Sequence, residues 1–219
     1  MNISADKTLL LMIDVQNDFC PGGALAVSEG DAVVQPLNAL SRALAAKGGR
    51  VAATQDWHPG GHISFAVSHS GKKPGEVIDT PLVKAQVLWP AHCVQGTKGA
   101  DFHSELDLSP VSMIIRKGFR KELDSYSAFF ENDRKTPTGL DGWIRSLGLD
   151  TVIIGGLATD YCVFFSAQDS QKLRFKTIVA SDAVRGVGYP EGSVESAIKT
   201  MKEAGIEIIP SKDLQLGIG

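Results

Sequence analysis

Short apolar runs rich in Val, Ile and Leu punctuate the chain at 8–13, 50–55, 111–115, 151–155, 176–180 and 206–209. They are nearly continuous in hydrophobicity rather than alternating, the pattern of strands covered on both faces, and they predict a mostly parallel sheet. Between them, apolar residues fall at helical spacing over 32–46, 139–147, 160–173 and 191–204. Gly48-Gly49, Gly148 and Gly205 stand where those helices should stop, as a left-handed cap requires. Strands alternating with helices through right-handed crossovers imply a three-layer α/β fold, a mostly parallel, doubly wound sheet of about six strands with helices on both faces.

One region breaks the alternation. From Trp57 to Pro110 there is little periodicity and much Gly, Pro, Ser and Lys, which reads as long connections with one or two short helices. All five histidines, His58, His62, His69, His92 and His103, fall in that stretch. Loops of such length inside a compact domain usually carry function.

Length and composition narrow the field. At roughly 100–200 residues per domain, 219 residues favour one domain, and no repeat, low-complexity tract or linker divides them. With 22 basic against 25 acidic residues the chain has no general attraction for nucleic acid or an anionic membrane. The aliphatic run at 9–13 is stopped by Asp14, too short for a signal-peptide core or a membrane span, so a cytoplasmic protein is expected. Three cysteines make neither a disulfide framework nor a four-thiolate zinc site.

In open α/β sheets the site lies outside the carboxyl ends of the strands. The residues there are Asp14, Asp56, Lys117, the turn from Gly155 to Cys162, and Asp182. Cys162 would sit just inside a helix, with Thr159 or Asp160 as N-cap, where the dipole lowers a thiol's pKa and free N–H groups cradle an oxyanion. Position alone suits a buried structural cysteine equally well. Cys20 and Cys93 stand at no strand-to-helix turn. A carboxylate at the core's edge, as Asp14 would be, can take and return a proton, or simply cap the next loop. Lys117 could hold both groups by charge; with Arg116, Arg120 and Lys121 nearby, a solvated basic edge is the alternative.

Asp56 and His58 flank Trp57, and His62 follows four residues later. Carboxylate and imidazole donors so arranged suit zinc, iron or manganese, with a distant third ligand such as His92 leaving positions open for water.

Taken together, five blocks resemble nicotinamidases, which belong to the isochorismatase-like cysteine hydrolases. They are Ile13-Asp14-Val15-Gln16-Asn17-Asp18-Phe19, Gln55-Asp56-Trp57-His58-Pro59, Trp89-Pro90-Ala91-His92-Cys93, Arg116-Lys117-Gly118 and the Gly155-to-Cys162 turn, in family order over nearly the whole chain. The resemblance implies one isochorismatase-like domain over 1–219, with a metal-binding loop region at about 56–110. It implies an Asp14, Lys117 and Cys162 triad and a divalent metal, zinc first with iron or manganese as alternatives, on Asp56, His58 and His92. His62 matches a histidine near the metal in some relatives. Phe19 and Trp89 match the walls that hold a pyridine ring, and Tyr126 a tyrosine closing the pocket. Backbone N–H groups of Ala158 and Cys162 match the oxyanion hole, and the Leu157–Ala158 bond matches one that is cis in relatives. The implied activity is hydrolysis of nicotinamide to nicotinate and ammonia through a cysteine thioester, in NAD salvage. No nucleic-acid or membrane partner is implied, and homo-oligomerisation is left open.

The resemblance also gives the base's task to Asp14, where a papain-like reading would pair Cys162 with a histidine. The nearest rivals are an amidase for another carboxamide and an isochorismatase-type ether hydrolase. A dinucleotide-binding module is disfavoured because Gly22-Gly23 are adjacent and no G-x-G-x-x-G opens a helix. An idle scaffold is disfavoured because Asp14, Lys117 and Cys162 are all present.

Overall fold

Strand β1 (Thr8–Ile13) is buried at every position, because neighbouring strands flank it and layers cover both faces. The computed structural model describes residues 3–219. After β1 come α1 (Val34–Ala45), β2 (Arg50–Asp56), the two-residue strands β3 (Val77–Ile78) and β4 (Gln86–Val87), and β5 (Val111–Lys117). Then follow α2 (Leu140–Ser146), β6 (Thr151–Leu157), α3 (Phe164–Lys172), β7 (Lys176–Arg185), α4 (Ser193–Glu203), β8 (Glu207–Ile209) and α5 (Ser211–Gly217).

Six strands pair in parallel in the order β5-β2-β1-β6-β7-β8. All six apolar runs are strands, and all four expected helices form. Two separate apolar clusters divide between the faces of β1: Leu10 and Met12 join Leu37, Leu40 and Leu44 of α1, while Leu9, Leu11 and Ile13 join Ile144, Ala167 and Met201. This is the three-layer arrangement the periodicity implies. Each fully buried Leu on α1 contributes about 1.5–3 kcal/mol relative to leaving it in water.

Besides the added C-terminal helix α5, the structure differs from the pattern in four places. β5 is an edge strand whose burial alternates, with Ile114 and Arg116 outward and Ile115 and Lys117 inward. β7 runs on to Arg185, so Asp182 is not at a strand end; its exposed carboxylate instead accepts hydrogen bonds from the Ser211 N–H and hydroxyl at 2.7 Å each. The helix expected from residue 160 opens as a π turn (Thr159–Val163) before α3. The 57–110 stretch holds the β3–β4 hairpin and two 3₁₀ turns, at Ala66–Ser68 and Lys98–Ala100, and no α-helix.

Sheet order fixes where a site forms. The chain moves outward from β1 to β2 and β5, then returns to pair β6 on the other side of β1. The crevice at this reversal is the topological switch point. Asp14 follows β1 there, and Cys162 follows β6. Close approach of the two strands requires glycine at 156: a Cβ there would lie 2.0 Å from the Ile13 carbonyl oxygen.

Candidate active site

Four adjacent strand ends deliver the polar centre. Lys117, the last residue of β5, is fully buried because the alternation of that strand turns it inward. Its ammonium lies 2.8 Å from Asp14 Oδ2, donates to the Ser125 carbonyl at 3.0 Å, and stands 3.4 Å from Cys162 Sγ. It also pairs with Asp56 Oδ1. The solvated basic edge is therefore excluded for Lys117, while neighbouring Arg116 points outward and stacks over Trp57.

Asp14 occupies the left-handed region at φ 47°, uncommon for a residue with a Cβ, and its carboxylate is held inside. The Thr54 hydroxyl donates to Oδ1 at 2.6 Å, while Thr54 Oγ1 accepts from the Asp14 N–H at 3.1 Å. Burial raises the Asp14 carboxyl to about 6; Lys117 pulls it down and Asp56 pushes it up. Burial also pushes the Cys162 thiol well above its ordinary value, against the pull of Lys117 and with Asp14 and Asp56 adding to the rise. The expected lowering by a helix N-terminus is overridden, since complete burial costs a thiolate more than one helix end returns. The side-chain N-cap is absent as well. Asp160 turns away and accepts from the N–H groups of Val187 and Gly188 at 2.9 Å each and from the Ser193 hydroxyl at 2.6 Å.

For Lys117, burial favours loss of the proton, but Asp14, Asp56 and Cys162 outweigh it and hold the ammonium well above its usual range. The resting centre is thus a fixed cation beside a neutral thiol and a carboxyl poised near neutrality.

Beside it lies a candidate metal cage. Asp56, His58 and His92 each offer a donor atom within 4.8 Å of the others. The Nδ1 atoms of His58 and His92 are engaged by the carbonyls of Gly118 and Pro90, both at 2.8 Å. That turns both Nε2 atoms toward Asp56 Oδ2, at 3.5 and 3.9 Å. Outer hydrogen bonds to carbonyls are how ligating imidazoles are ordinarily oriented, so these residues fit a divalent ion. Gly118 is needed for this: its φ is +62°, and a Cβ would lie 2.4 Å from His58 Cε1. Gln16 fixes the Asp56 backbone, donating to its carbonyl and accepting from its N–H at 2.8 Å each. Phe65 backs the rings of His58, His62 and His92 at 5.5–5.6 Å.

His62 stacks on His58 at 4.2 Å, but its two nitrogens face Ser64 Oγ at 2.7 Å and the Leu123 carbonyl at 3.3 Å. It groups with His58 and Asp124 rather than with Asp56. His69 and His103 lie outside the pocket, and both are half-buried.

The pocket between these groups is lined by Phe19, Trp89, Tyr126, Ala158 and Cys162, all residues to which the resemblance pointed, together with Asp56, His58 and His92. Leu25, Asp124, Tyr161 and Val187 complete it and were not singled out by sequence. The Trp89 indole N–H donates to Tyr126 Oη at 3.0 Å, and the Tyr161 ring meets Trp89 edge-on at 4.8 Å. Tyr161 adjoins Cys162, so its neighbourhood was a usable signal; Leu25 and Val187 carried none. The Leu157–Ala158 bond is cis.

Fold and site first define a class: doubly wound α/β proteins with a thiol, a lysine and a carboxylate gathered at the switch point. Residues 8–213 match the Isochorismatase domain family, and the chain belongs to that family. It is 44% identical over 210 residues to a nicotinamidase of Acinetobacter baylyi, covering 96% of this chain and 95% of the relative. A solved nicotinamidase/pyrazinamidase of Acinetobacter baumanii superposes with a TM-score of 0.91 at 46% identity, covering 95% of this chain and 98% of the other. The pyrazinamidase of Pyrococcus horikoshii, solved in complex with zinc, superposes with a TM-score of 0.75 at 36% identity, covering 93% and 99%.

Proposed function

We propose that this protein hydrolyses nicotinamide to nicotinate and ammonia, serving NAD salvage in the cytoplasm. The observation that carries the reading is the Lys117 ammonium in contact with both Asp14 and Cys162 inside an aromatic-walled pocket. The similarity to nicotinamidases over most of the chain supports it.

In this reading Phe19 and Trp89 flank the pyridine ring and Tyr126 closes over it. Asp14 takes the proton of Cys162, and the thiolate attacks the carboxamide carbon. The N–H groups of Ala158 and Cys162 hold the oxyanion of the tetrahedral intermediate. Asp14 returns the proton to the departing nitrogen, ammonia leaves, and a thioester remains on Cys162. Asp14 then takes a proton from water, whose oxygen attacks the thioester; the C–S bond breaks, the proton passes from Asp14 to the sulfur, and the acid formed gives up its own proton to solvent as nicotinate. Lys117 keeps its charge throughout, so it faces the Asp14 and Asp56 carboxylates before proton transfer and the Asp56 carboxylate with the Cys162 thiolate after it.

Asp56, His58 and His92 would hold the divalent ion, which supplies an electron-pair acceptor for the ring nitrogen when bound. Zinc is the first choice, supported by the zinc complex of the Pyrococcus relative, with iron or manganese as alternatives. His62 serves that cage as a neighbour that packs and orients His58.

An ammonia-release assay on nicotinamide, run with and without chelator, tests the reading. Release that falls on chelation and returns with added metal is expected; no release from nicotinamide by the metal-loaded protein overturns it. Formation of the hydroxamate when hydroxylamine is added would mark the thioester.

A further inference from the structure

The pocket wall holds a carboxylate that the acyl-transfer scheme does not use. Asp124 lies between β5 and α2, is only 2% exposed, and lines the pocket with Asp56, His58 and Cys162. Both oxygens are held by neutral donors: the Gln86 amide at 2.9 Å and the Ser125 N–H at 2.8 Å. Among the described residues no lysine or arginine forms an ion pair with it, whereas Lys117 is committed to Asp14 and Asp56. A buried carboxylate without a cation is costly, and an amide of the same shape would fill the space without that cost.

The charge reaches the groups around the pocket. Asp124 offers an oxygen within 4.8 Å of donor atoms of His58 and His62. Burial pushes the Tyr126 hydroxyl well above its ordinary value, and the Asp124 carboxylate adds most to that after burial, with a further push from Cys162. Asp124, Tyr126 and Cys162 line the same pocket, so the wall carboxylate and the nucleophile face one enclosed space.

The reaction proposed above takes in a neutral amide and leaves an anion in the same low-dielectric space, where like charges repel far more strongly than in water. We propose that Asp124 makes the pocket selective for the neutral carboxamide over the carboxylate product, so that nicotinate is repelled once formed. This rests on the nicotinamide-hydrolysing reading. Lys117 lies against Asp14 and Asp56 and offsets part of their charge, whereas Asp124 has no lysine or arginine partner among the described residues. Asp124 also opposes the pull that a divalent ion on the neighbouring cage would exert on the product.

The test is equilibrium binding by calorimetry to the metal-loaded wild type, D124N and D124E, with metal content measured in each. Two probes are used: nicotinate, and 3-acetylpyridine, a neutral planar analogue that cannot be hydrolysed. In D124N the Kd for nicotinate should fall about tenfold while that for 3-acetylpyridine moves less than about threefold, and D124E should restore the wild-type ratio. Parallel movement of both ligands, or no change for nicotinate, overturns the proposal. Should D124N not fold, the wild type alone decides: tighter binding of 3-acetylpyridine than of nicotinate is expected, and the reverse order overturns it. Failure of the underlying reading shows separately, as a wild type that releases no ammonia from nicotinamide.

Discussion

Asp14 Oδ2 lies 2.8 Å from Lys117 Nζ, and neither side chain has any exposed surface. The ammonium is what makes two buried carboxylates tolerable in one site, since it pairs with Asp56 as well. Lys117→Met should therefore cost about 3–5 kcal/mol of stability at pH 7, the usual penalty for leaving buried charge without its partner. The deficit should shrink toward pH 5 as the freed carboxylates take up protons. Urea denaturation of both proteins at the two pH values checks this; equal midpoints would mean that the pair contributes nothing.

Asp14 must be ionised to accept the thiol proton, and its carboxyl is raised from 3.8 to about 6. Below that value it is protonated, so kcat/KM should fall on the acid side with an apparent pKa near 6 for the Asp14–Cys162 pair. The Thr54 hydroxyl lowers that value by donating to the carboxylate. Thr54→Val should shift the acid limb upward by about 0.5–1 unit, as expected for losing one such bond. The linkage for stability has the matching sign. A carboxyl raised in the folded state contributes stability below its unfolded value, and this is lost as pH rises through about 6. A pH profile unmoved in Thr54→Val would remove Asp14 as the titrating group.

Gly118 lets the His58 ring dock against the backbone carbonyl that orients it. In Gly118→Ala the added methyl clashes with His58 Cε1 and displaces the ring, so metal content by elemental analysis should drop together with activity. His92→Ala should do the same by removing a donor. Full metal stoichiometry in both variants would take these residues out of the cage.

The six strands were legible because their sequences are continuously apolar, and the polar residues ending them pointed to the crevice. Lys117 was ambiguous because four basic residues crowd positions 116–121. Its burial follows from the period-2 alternation of an edge strand, which seats 115 and 117 on the same covered face. The state of Cys162 was not legible: helical position argues for an acidic thiol, whereas tertiary burial decides for a neutral one. Asp124 is not legible in the sequence, because the segment from Gly118 to Gly139 has no periodicity and its Gln86 partner comes from a distant hairpin. Asp160 stands where any acidic residue at a helix start suggests a cap. Only the fold shows that the Val187–Gly188 backbone reaches it first.

The most direct measurement on the account as a whole is ammonia release from nicotinamide by Cys162→Ala, with folding and metal content verified to match the wild type. Loss of a nucleophile that forms a covalent intermediate typically lowers kcat by about 10⁴–10⁶-fold, and a loss of that order is predicted. Ammonia release within about tenfold of the wild type would contradict covalent catalysis by this thiol.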